Sequence, residues 1–165
     1  MRTFFAIIVS LLLVILQLAV LPRLSVLTVV PNLVLAYVLS LAIDKTRKNI
    51  WLVLAPAWLL DLLGGLPFGL TTLSLCLTYF LIGWLTDRFI KQNNFFSILI
   101  SSAVGVLFFE VSLQLFLKLW MGGDYFSQFY FFYRLPISLA YQTIIAVLAI
   151  LFLHKYIFKK SNGGI

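Results

Sequence analysis

Six apolar runs, divided by prolines or short polar stretches, occupy nearly the whole chain and leave almost nothing from which to build a wetted surface. They cover about residues 3–21, 25–43, 50–63, 67–86, 95–119 and 136–158. A hydrocarbon core of about 30 Å is crossed by about 20 apolar residues of helix. Composition agrees: 63% of the 165 residues are hydrophobic, 10% are charged, and the mean hydropathy is +1.11. No soluble domain of this size tolerates such a balance. The sequence predicts an all-α integral membrane protein, one multi-pass domain over residues 1–165, folded as a bundle of six transmembrane helices. The first run is too long for a signal peptide's apolar region and ends in QLAVLPR without a small-x-small cleavage pattern, so it reads as a retained span.

Charge orients the spans. With both termini cytoplasmic, that side carries Arg2, Lys45, Arg47, Lys48, Arg88, Lys91, Lys155, Lys159 and Lys160, and the other carries Arg23, Lys118 and Arg134. Nine against three obeys the positive-inside rule only for an even number of spans. The formal charge of +7 is scattered in ones to threes rather than drawn into a stripe, so membrane lipids, not nucleic acid, are its partners. Trp51 and Trp84 then fall near the inner interface and Trp120 near the outer one.

Polar residues within the runs are informative, because a charge at the bilayer centre costs roughly 2.5–3.5 kcal/mol even on the lenient scale. Asp61 lies about 20 Å up the third helix at 1.5 Å per residue. Glu110 reaches a similar height on the fifth, with Gln114 one turn higher. Asn32 follows Pro31 in the upper part of the second, and Arg134 and Ser138 stand at the outer start of the sixth. Two readings stay open for Asn32, Asp61, Glu110, Gln114 and Arg134. They converge on an outward-facing polar pocket, with Arg134 or Lys118 partnering a carboxylate, or they form separate joints that glue helices together.

A break follows Asp61. Residues 50–63 make about 21 Å of helix, short of the core, so the chain turns at membrane depth. Irregular backbone is tolerated there only inside protein or beside a wet cavity. Gly64 and Gly65 suit a helix end at positive φ, Pro67 suits the first turn of the next helix, and Gly69 allows close backbone approach. Residues 120–134, WMGGDYFSQFYFFYR, form the longest connection. Its Trp120, Tyr125, Phe126, Phe129 and Tyr130 make either an aromatic lip anchored in the outer interface or a surface for a protein partner.

Catalytic signatures are missing. HExxH, GxSxG and Walker A patterns do not occur, and the one histidine, His154, falls at the inner end of the sixth run. A single cysteine, Cys76, excludes an internal disulfide and a thiolate metal cluster. Asp61 and Glu110 as an acid/base pair would need a defined separation and shifted pKa values. No cofactor or metal is expected. The two halves show no mutual similarity, which gives no support to an inverted-repeat transporter.

The stretch VVPNLVLAYVLSLA, a short basic loop, and then LVLAPAWLLDLLGGLPFGLTTLSLCLTYFLIGWL resemble the family of rod shape-determining protein MreD. The shared pattern is Pro-Asn opening the second helix (Pro31, Asn32), then an Asp three residues before a glycine pair (Asp61, Gly64, Gly65), and a further glycine (Gly69). Gln17 also fits, and the resemblance covers roughly residues 10–90. It implies a multi-pass protein of the bacterial cytoplasmic membrane, a non-catalytic scaffold of the cell-wall elongation machinery that maintains rod shape. Its implied partner is the single-span protein MreC and, indirectly, MreB, RodA and a class B penicillin-binding transpeptidase. The implied fold is similar to the S components of energy-coupling-factor transporters. The competing function is accordingly a vitamin-binding transport subunit, although fold analogy does not establish a ligand.

Overall fold

The structure, a computed structural model, describes residues 2–25, 29–43, 50–65, 67–89, 95–122 and 130–153. It is all-helical, with six α-helices and no strand among the described residues. In chain order these are α1 (Arg2–Ala19), α2 (Leu33–Ile43), α3 (Trp51–Leu63), α4 (Leu70–Phe89), α5 (Phe95–Met121) and α6 (Leu135–Leu153). A 3₁₀ turn, Leu21–Leu24, follows α1, and a π-helical turn, Tyr130–Arg134, leads into α6.

Helix α2 forms the centre. Every residue from Val34 to Ile43 is buried, which is the signature of a helix apolar on all sides and enclosed by others. It touches each of the other five helices. The core around it gathers Val14 of α1, Val53 and Ala57 of α3, Leu75 and Ile82 of α4, Val106 of α5 and Val147 of α6. Close approach is set by Gly105 on α5, where an added Cβ would collide with Leu39 of α2 and stand 3.3 Å from Ile82 of α4. Between apolar helices in lipid, packing of this kind replaces the hydrophobic effect as the force of association.

The outward faces are apolar. Leu12 and Ile15 of α1, Leu62 of α3, Phe80 of α4 and Ile144 and Leu148 of α6 are each more than half exposed. Apolar exposure on this scale marks contact with lipid or partners. Three helical segments, Leu70–Arg88, Phe95–Met121 and Phe132–Phe152, are long and apolar enough to cross a membrane, while Leu11–Arg23, Leu33–Ile43 and Trp51–Leu63 are shorter.

Two starts differ from expectation. Helix α2 begins at Leu33 rather than near residue 25, and α4 at Leu70 rather than Pro67. Hydropathy registers only that a stretch is apolar, and residues 29–32 and 67–69, just ahead of the two helices, are not helical.

Candidate functional site

The polar groups gather where one helix hands over to the next. Asn32 is not inside α2 but is its N-cap, with its Oδ1 accepting from Leu35 N–H at 2.9 Å while its carbonyl accepts from Ala36 N–H at 3.1 Å. An N-cap side chain reaches only one of the free N–H groups that open a helix. Two more are taken by Gln17, two residues before the end of α1, whose Oε1 accepts from Leu33 N–H at 2.7 Å and Val34 N–H at 3.2 Å. The N–H groups of the first three residues of α2 are thus all satisfied.

The head of α4 is satisfied by another route. Its N-cap is Gly69, with φ +94° and no side chain to offer. Asp61, 3% exposed on the last turn of α3, supplies the cap from outside. Its Oδ2 accepts from Gly69 N–H and Thr72 N–H at 3.0 Å each and from Thr72 Oγ1 at 2.6 Å, and its Oδ1 accepts from Thr71 N–H at 3.1 Å. Leu70 N–H turns back to the Pro67 carbonyl at 3.3 Å, and Leu73 N–H makes the first helical bond, to Gly69, at 2.9 Å. A carboxylate against a helix N-terminus is favoured by the helix dipole as well as by the bonds.

The glycines divide the work of the turn differently from the sequence reading. Gly64 is right-handed at φ −85° and closes α3 through its N–H to the Leu60 carbonyl at 2.8 Å; an added Cβ would stand 2.5 Å from that same oxygen. Gly65 takes the left-handed conformation, φ +72°. At Gly69 the space for a Cβ is open, so its requirement is its positive φ and not close approach. Pro67 lies in the turn ahead of α4 rather than in its first helical turn. Across this turn the Trp58 and Phe68 rings meet at a 50° tilt with centroids 6.2 Å apart.

A third joint ties α5 to α6. Glu110 Oε1 accepts from Ser138 Oγ at 2.7 Å and from Gln142 Nε2 at 2.9 Å, and the same Nε2 donates to Ser138 Oγ at 2.9 Å. Ser138 and Gln142 are buried.

Three of the five polar residues singled out from sequence are engaged in separate helix joints. Asn32 caps its own helix, Asp61 holds the head of α4, and Glu110 joins α6. Gln114 is half-buried and Arg134 exposed, and neither enters these bonds. The donors to Asp61 are N–H groups and a hydroxyl. Trp120 is 73% exposed near the end of α5. Tyr130 opens the π-helical turn, while Tyr125, Phe126 and Phe129 fall outside the described residues. No group of three metal-ligating side chains occurs among the described residues. Gln17 is marked in the sequence only by the resemblance and Gln142 only by being polar in an apolar run, since Leu33 and Glu110, which they bind, are distant in the chain.

Comparison with protein-family models, curated proteins and solved structures found no match.

Proposed function

We propose that this chain is a non-catalytic membrane scaffold of the MreD type, with six spans and cytoplasmic termini, holding a single-span MreC-like partner within the bacterial cell-wall elongation machinery. The observation that carries the reading is the full engagement of Asp61. All four of its contacts are donors from the head of α4, so the carboxylate builds the bundle rather than facing a substrate. Glu110 likewise spends one oxygen on two side chains of α6. Buried polar groups used as joints suit a protein whose product is a shaped surface. The apolar outer faces and the exposed aromatic end of α5 at Trp120 offer such a surface.

The test is capture and phenotype together. Photo-crosslinking side chains placed at Trp120, Phe132 and along α1 are expected to trap MreC in growing cells, and depletion of the protein is expected to round the cells. Normal shape with no crosslink would refute the scaffold. A small molecule retained by the purified protein in native mass spectrometry would point instead to the transport-subunit reading. Cysteine accessibility tests the spans independently.

A further inference from the structure

We draw no further inference here: the strongest candidate, the apolar groove between α5 and α6 lined by Leu99, Ala103, Leu107, Leu139, Ala140 and Val147 among others, carries no proposal because nothing among the described residues shows what covers it.

Discussion

Removing the Asp61 carboxylate should undo the α3–α4 hairpin in graded steps. In Asp61→Leu three backbone N–H groups, on Gly69, Thr71 and Thr72, lose their acceptor together. Each buried, unsatisfied donor costs about 1–3 kcal/mol, so the loss is about 3–9 kcal/mol against a total stability typically about 5–15 kcal/mol. In Asp61→Asn the amide oxygen can keep the Gly69 and Thr72 donors, but its nitrogen then faces Thr71 N–H. That leaves one donor unsatisfied and removes the charge from the helix N-terminus, for about 1–5 kcal/mol. Thr72→Val removes only the hydroxyl bond, about 0.5–2 kcal/mol on the scale of membrane helix contacts. The full-length variants are unfolded from mild detergent by titrating in sodium dodecyl sulfate, with Trp58 fluorescence reporting on the hairpin through its contact with Phe68. The expected order of destabilisation is Thr72→Val, then Asp61→Asn, then Asp61→Leu. If Asp61→Leu unfolds within about 0.5 kcal/mol of wild type, the scatter of an inert surface change, the capping argument is refuted.

Other positions yield to the same assay. Gly69→Ala, at φ +94° with room for the methyl, should lose about 1–2 kcal/mol from backbone strain alone. Gly105→Ala should lose about 1–3 kcal/mol by overpacking, and Leu39→Ala, which removes the side chain it strikes, should restore part of the loss in the double variant. A cycle of Glu110→Ala and Ser138→Ala should give a coupling of about 0.6–1.7 kcal/mol if their 2.7 Å bond ties α5 to α6. Gln17→Leu should free the first two N–H groups of α2, and hydrogen exchange at Leu33 and Val34 should rise while the middle of α2 stays protected.

How much was legible depends on how local each cause is. The helical, apolar character of the chain and the break after Asp61 follow from runs of neighbouring residues, and hydropathy and glycine placement display them directly. The start of α2 was legible in principle, because Pro31-Asn32 before an apolar run is an N-cap signal. It was outweighed by the apolar stretch ahead of it. Whether the polar residues form a pocket or joints could not be read, since depth along a helix is a one-dimensional quantity and convergence also needs the angle around each axis. Gln17 lies sixteen residues from the backbone it holds, and Glu110 lies 28 residues from Ser138. Gly105 is one glycine in a helical run, and only the neighbouring α2 gives it a reason.

The joints also explain why one of them carries a buried charge. Each links an odd-numbered helix to the next even-numbered one: α1 to α2 through Gln17, α3 to α4 through Asp61, α5 to α6 through Glu110. At α2 the N-cap Asn32 already takes one donor, and a neutral amide oxygen suffices for two more. At α4 the N-cap position needs a positive φ, which selects glycine and removes the local cap. One side chain must then accept three N–H groups and a hydroxyl, and a carboxylate has the two oxygens to do so. Hydrogen bonds to a charged acceptor contribute about 1.5–3 kcal/mol each, so three backbone donors offset the roughly 2.5–3.5 kcal/mol that an acid costs at the bilayer centre. The glycine that makes the tight turn and the aspartate eight residues earlier are thus one device, and exchanging either alone should fail for the same reason.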